Sequence, residues 1–77
     1  MQITLKYFGL LVEVTGCSEE SVNTSAVTIK QLLEELYTKY PDLENKDFQV
    51  AQNNFIASET EVINQTEIAL LPPFSGG

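Results

Sequence analysis

The stretch TIKQLLEELYTKYP, residues 28–41, reads as one amphipathic helix with both of its ends written into it. Ile29, Leu32, Leu33, Leu36 and Tyr40 recur at the spacing of a single helix face. Thr28, followed three residues later by Gln31, forms the capping-box pattern that satisfies the first free backbone N–H groups. Pro41 disfavours helical backbone at Tyr40 and so closes the element. Glu35 and Lys39, one turn apart, are expected to pair. A solitary helix with one apolar face needs a second layer to cover, and the flanking segments supply strands.

Toward the N-terminus, QITLKYF at residues 2–8 alternates. Ile3, Leu5 and Tyr7 share one face, and Gln2, Thr4 and Lys6 share the other, the pattern of a half-buried strand. Phe8 falls outside the core-facing set. GLLVEVTG at residues 9–16, bracketed by glycines, predicts a short helical turn, and Glu20–Thr24 a weak, polar edge strand. Beyond the helix, DFQVAQ (47–52) predicts a strand. Asn53–Asn54 suit a tight turn because asparagine tolerates positive φ, and FIAS (55–58) pairs back. NQTE (64–67) turns again, and EIALL (67–71) is the last strand. The first and last strands are both apolar enough to be central neighbours. One helix across one mixed sheet is a two-layer α+β solution, and this element order is the ubiquitin-like, β-grasp roll. The chain divides into a domain over residues 1–71 and a tail over residues 72–77.

Seventy-seven residues make one domain with a small core, leaving no room for a large enclosed site. Eleven acidic residues against four lysines, with no arginine, disfavour nucleic acid as a partner; the acidity reads either as solubility through self-repulsion or as steering toward basic partner surfaces. Histidine, the commonest acid–base group near neutral pH, is absent. A single cysteine, Cys17, allows neither an internal disulfide nor a thiolate metal cluster, and no role is assigned to it. No metal site is expected. The composition suits the reduced cytoplasm, and neither a leader nor a membrane span is expected.

The unusual chemistry is in LLPPFSGG, residues 70–77. Pro72 and Pro73 cannot continue a ladder and stiffen the exit from the sheet. From Pro72 to Gly77 an extended chain reaches roughly 20 Å at ~3.3 Å per residue. Gly76 and Gly77 lack Cβ atoms and can enter a narrow channel. The reactive group would be the Gly77 carboxylate. It is inert until ATP converts it to an acyl-adenylate, which accepts a sulfur nucleophile or an amine.

This tail resembles the C-terminus of the molybdopterin synthase small-subunit family, the sulfur carriers of molybdenum cofactor biosynthesis. The resemblance extends to the ITLKYFG start, the TIKQLLEEL helix and the NN turn. One departure is Asn64-Gln65-Thr66, where the family usually carries Asp-Gly-Asp. The resemblance implies that a ubiquitin-activating-like adenylyltransferase, using ATP and magnesium, adenylates Gly77. A sulfur donor protein then forms the thiocarboxylate. The tail, Pro72, Pro73, Phe74, Ser75 and Gly76, threads into the synthase large subunit and delivers sulfur to cyclic pyranopterin monophosphate. The catalytic side chains would belong to that large subunit. This chain would be a non-catalytic carrier that itself binds no cofactor.

Phe8, Ile56 and Leu71 lie off their strands' core-facing sets and, with Phe74, are candidates for a partner-binding patch beside the tail. The other reading of these residues is a second small core. Three further functions remain open on the sequence: a thiamine-pathway sulfur carrier, a ubiquitin-like protein modifier, and a non-covalent binding module.

Overall fold

The computed structural model describes Met1–Pro73. Strand β1 (Gln2–Tyr7) buries Ile3, Leu5 and Tyr7 and turns Thr4 and Lys6 to the opposite face, as its alternation requires. Gly9, at φ +60°, redirects the chain into the short helix α1 (Leu11–Thr15), which drops Leu11 into the core. Gly16 closes that helix in the left-handed conformation. Strand β2 (Glu19–Asn23) then runs antiparallel to β1 along the edge of the sheet.

Helix α2 (Ile29–Lys39) has the capping box that its sequence encodes. The Thr28 hydroxyl accepts from the Gln31 N–H at 3.3 Å, and the Gln31 carboxamide accepts from the N–H of Val27 at 2.7 Å and of Thr28 at 3.4 Å. Ile29, Leu32, Leu33 and Leu36 are buried against the sheet. Each such side chain contributes about 1.5–3 kcal/mol by leaving water. Tyr40 caps the helix rather than belonging to it. Pro41 opens a 3₁₀ helix over Pro41–Asn45 that the sequence reading did not anticipate. The proline suits a first helical position, and the fully buried Leu43 anchors that turn to the core.

Strands β3 (Gln49–Gln52) and β4 (Phe55–Ala57) form a hairpin. Asn53 and Asn54 have φ of 54° and 66°, the positive pair that a two-residue hairpin turn needs. Strand β5 (Glu67–Leu71) is antiparallel to β3 and parallel to β1, so the sheet order is β2-β1-β5-β3-β4. The first and last strands are central neighbours, and the architecture is the ubiquitin-like β-grasp fold. The turn before β5 needs no glycine. Among the described residues the positive-φ non-glycine positions are Asn53 and Asn54, and the Asn64 N–H is held by the buried Gln52 carboxamide at 3.2 Å. Substituting Asn64-Gln65-Thr66 there therefore costs no backbone strain.

Three expectations require correction. The edge strand covers Glu19–Asn23 rather than Glu20–Thr24, because Thr24 turns inward to serve the Ala26 N–H at 2.9 Å. The third strand begins at Gln49, leaving Asp47 and Phe48 outside it. Glu35 and Lys39 do not pair. Lys39 instead reaches Glu20 at 2.6 Å, and Glu35 accepts from the Thr24 hydroxyl at 2.7 Å. An exposed pair along a helix contributes only tenths of a kcal/mol, so less exposed partners elsewhere win.

Candidate functional site

The sheet buries one face under α2 and leaves the other uncovered. On the uncovered face, residues alternate out from the core set: Lys6 and then Phe8 beyond the end of β1, Glu67, Ala69 and Leu71 on β5, Ala51 on β3 and Ile56 on β4. Ala51 and Ala69 pair directly across β3 and β5, and their small side chains leave a hollow between larger neighbours. The result is an open concavity of about 770 Å³ with Phe8, Ile56 and Leu71 among its lining residues. Phe8 is 44% and Ile56 49% exposed, and Leu71 is half-buried. Among the described residues no element packs over this face. Asn53, Asn54 and Gln65 give the concavity a rim of neutral carboxamides.

Lys6 and Glu67 are the charged residues of this concavity, and they face one another at 3.5 Å. The other three lysines and ten acidic residues of the chain lie on other parts of the molecule. An otherwise strongly acidic protein thus has one face on which apolar surface can be covered without stripping water from a field of carboxylates.

The tail leaves from the end of the sheet where Leu71 lines this concavity, and Pro73 lines a groove beside Ile29, Leu33 and Tyr37 on the α2 side. β5 is held on both sides, by β1 and β3, up to Leu71, and the Phe8 N–H donates to the Leu70 carbonyl at 3.2 Å. Pro72 and Pro73 follow, both exposed. Pro72 passes over Gly9, where a Cβ atom would stand 2.7 Å from the proline Cγ, so the bare glycine leaves room for the exit. Phe74, Ser75, Gly76 and Gly77 lie outside the described residues. The parallel pairing of β1 and β5 thus brings Phe8, Leu71 and the start of the tail to one end of the sheet.

Five exposed apolar residues escaped the sequence reading: Met1, Val27 and Val62, and the two most exposed, Leu10 and Phe55. Leu10, 72% exposed, stands in the turn beside Phe8, and Phe55, 73% exposed, sits at the hairpin tip. Phe55 faces the α2 side of the sheet, since it pairs with the buried Gln52, so it is not part of the concavity. Counting outward from the two-asparagine turn would have found that facing. Cys17 is a half-buried free thiol packed against the core, far in sequence from every tail residue. Among the described residues no group of three or more metal-ligating side chains converges, and no helix is long and apolar enough to cross a membrane.

A different cluster is electrostatically strained but lies on the core side. The Glu20 carboxylate accepts from Tyr7 at 2.6 Å, Tyr40 at 2.7 Å and Lys39 at 2.6 Å. Burial alone would raise the Glu20 carboxyl, but these three donors outweigh it and hold it below the usual carboxylate range. Burial and the Glu20 charge together push the Tyr7 phenol well above its ordinary value. This hub ties β1, β2 and the end of α2 together, and none of its residues lines the concavity.

The fold is that of a ubiquitin-like β-grasp domain whose central strand β5 runs directly into its C-terminal tail. Residues 5–77 match the ThiS family, and the chain belongs to that family of ubiquitin-like sulfur carriers. Solved structures agree on the fold. SAMP1, small archaeal modifier protein 1, from Haloferax volcanii is 28% identical over 100% of both chains, with a TM-score of 0.80. A Pyrococcus furiosus protein provisionally described as molybdopterin converting factor subunit 1 has a TM-score of 0.85 over 96% of this chain and 99% of its own. At 19% identity it speaks for the fold alone. The small archaeal modifier protein 1 of Methanosarcina acetivorans, 24% identical over 99% of this chain and 96% of its own, has a TM-score of 0.74.

Proposed function

We propose that this chain is the sulfur-carrying small subunit of a molybdopterin synthase. The observation that carries the reading is the continuity of a central strand, β5, into Pro72–Pro73 beside an uncovered apolar face. A strand held on both sides gives the tail a fixed origin, and the prolines limit the directions it can take. The apolar face offers a partner a way to grip the domain while the tail enters that partner's site.

The chemistry then follows from the terminal carboxylate. An activating enzyme of the adenylyltransferase class joins the Gly77 carboxylate to the α-phosphorus of ATP, with magnesium, and releases pyrophosphate. A donor protein's persulfide attacks the acyl carbon and displaces AMP to form an acyl disulfide, and a second thiol then cleaves that S–S bond, freeing the thiocarboxylate and ending in a disulfide with the donor thiol. Docked on the synthase large subunit, the tail presents that sulfur to cyclic pyranopterin monophosphate. Catalytic acids and bases come from the large subunit, which agrees with a chain lacking histidine. The acidic surface favours basic rims on both partners. The work would take place in the cytoplasm, where the single thiol stays reduced.

The test is reconstitution. The chain incubated with the activating enzyme, ATP, magnesium and a sulfur donor gains the oxygen-to-sulfur mass difference on its last peptide. With the large subunit added, it converts cyclic pyranopterin monophosphate to molybdopterin. Sulfur loading without molybdopterin formation would redirect the reading to another sulfur acceptor, such as one in thiamine synthesis. A second reading, a protein modifier, is favoured by the 28% identity to a protein named as a modifier. There the adenylate would pass to a lysine amine, and the isopeptide-linked Gly-Gly remnant on target lysines is its signature.

A further inference from the structure

We infer that the chain's own Phe74 is the occupant of a second groove, on the α2 side of the sheet, and that this self-docked tail is released before Gly77 is activated. The docking stands on the structure alone; its consequence for activation rests on the carrier reading. The groove, about 570 Å³, runs between α2 and the strands β3 and β4, and Ile29, Leu33, Tyr37, Phe48 and Ala57 give it an apolar lining. Pro73 belongs to the same lining, so the last described residue already stands at the groove. Phe74 is the next residue, one step of about 3.3 Å along the chain. An aromatic ring tethered there meets the groove at a high effective concentration, ahead of any free partner.

A polar atom in this groove points to the same occupant. The Gln49 Oε1 is buried and has no hydrogen-bond partner among the described residues. Gln49 lines the groove with Pro73 and stands opposite Leu71 in the register of β3 on β5. A buried acceptor without a donor is destabilising, and a donor brought within reach is drawn to it. The residues that follow Leu71 cannot serve, because Pro72 and Pro73 have no N–H. The first backbone donor beyond Leu71 is the N–H of Phe74. One residue therefore offers both things the groove lacks, a ring for its apolar lining and a donor for its unpartnered oxygen. A second copy is a poorer occupant, since two chains of net charge −7 repel one another, whereas residues 72–77 carry no charged side chain.

The consequence is a population effect. An activating enzyme takes the tail in its released form, so its apparent affinity is reduced by the released fraction. Weakening the groove raises that fraction without altering either the tail or the uncovered face.

The test uses the full chain in solution. Nuclear Overhauser contacts are expected from the assigned Phe74 ring protons to the Leu33 methyls and the Tyr37 ring, unchanged on dilution. The Phe74 amide is expected to exchange with solvent at least tenfold more slowly than that of Gly76, and Gln49→Met should remove this protection. Tyr37→Ala, at a half-buried wall position, and Ser58→Trp, which fills the groove from an exposed rim position, should each bind the activating enzyme threefold or more tighter than wild type. Circular dichroism checks the fold of each variant. Absent ring contacts, or contacts that fade on dilution because a second copy supplies the ring, would overturn the docking. Ring contacts with enzyme affinity unchanged in both groove variants would overturn its role in activation. If the wild type does not bind the activating enzyme, the carrier reading fails, and the Overhauser contacts still decide the docking.

Discussion

Ala51 and Ala69 stand opposite one another on β3 and β5, at the floor of the one apolar hollow described on the uncovered face of the sheet. Larger residues in this register would flatten that face. The alanines matter for what they leave empty, so filling the hollow tests whether a partner uses it. Ala69→Leu points a larger side chain outward and should leave the core undisturbed. Calorimetric binding to the large subunit is expected to weaken tenfold or more while the thermal midpoint changes little. Unchanged affinity would move the docking surface elsewhere on the molecule.

The last residue is predicted to tolerate no side chain. Gly77→Val, or one residue added after Gly77, should abolish sulfur loading and molybdopterin formation while leaving the folded domain intact. Cys17→Ser, by contrast, should load sulfur normally. Intact-mass analysis after incubation with the activating enzyme reads both outcomes. Full loading of the valine variant, or loss of loading in the serine variant, would contradict the assignment of the terminal carboxylate as the sulfur-bearing group.

The tail is expected to outweigh the acidic surface in holding the large subunit. Stiff prolines lower the ordering entropy of insertion, and a buried aromatic commonly dominates an interface. Phe74→Ala should cost on the order of 2–4 kcal/mol of binding. Glu19→Lys, on the exposed edge strand β2, should mainly slow association and change its salt dependence. Stopped-flow association and equilibrium titration separate the two. A larger equilibrium loss for the charge reversal would mean that electrostatics holds the complex.

Glu20 is predicted to make stability pH-dependent in acid. Its folded pKa lies below the unfolded value, so its stabilisation is present above the unfolded pKa and is lost as pH falls through the folded one. Lys39, raised chiefly by its hydrogen bond to Glu20, has the opposite sense: its stabilisation is present below the unfolded lysine pKa and lost as pH rises through the folded one. Glu20→Gln removes the charge and brings an N–H₂ group toward three donors, at a cost of about 1–3 kcal/mol near neutral pH. Urea unfolding from about pH 7 down to about pH 3 should show the gap between wild type and variant closing as the carboxylate protonates. A gap constant over that range would place the stabilisation in packing rather than in the ionised hub.

The sequence by itself determined the local elements and their facing. The alternation of Ile3, Leu5 and Tyr7, the capping box at Thr28 and Gln31, and the two asparagines of the hairpin each act within a few residues. Near-neighbour sterics and hydrogen bonding suffice for them. The off-core facing of Phe8, Ile56 and Leu71 was legible for the same reason. What joins them was not. Only the parallel register of β1 on β5 sets Lys6 beside Glu67, and only the antiparallel register of β3 on β5 sets Ala51 beside Ala69. The tertiary structure likewise took Lys39 from its helical neighbour Glu35 and gave it to Glu20, nineteen residues away. Partners so far apart in the chain meet only after the sheet has closed, and burial then decides between interactions that are nearly equal in water.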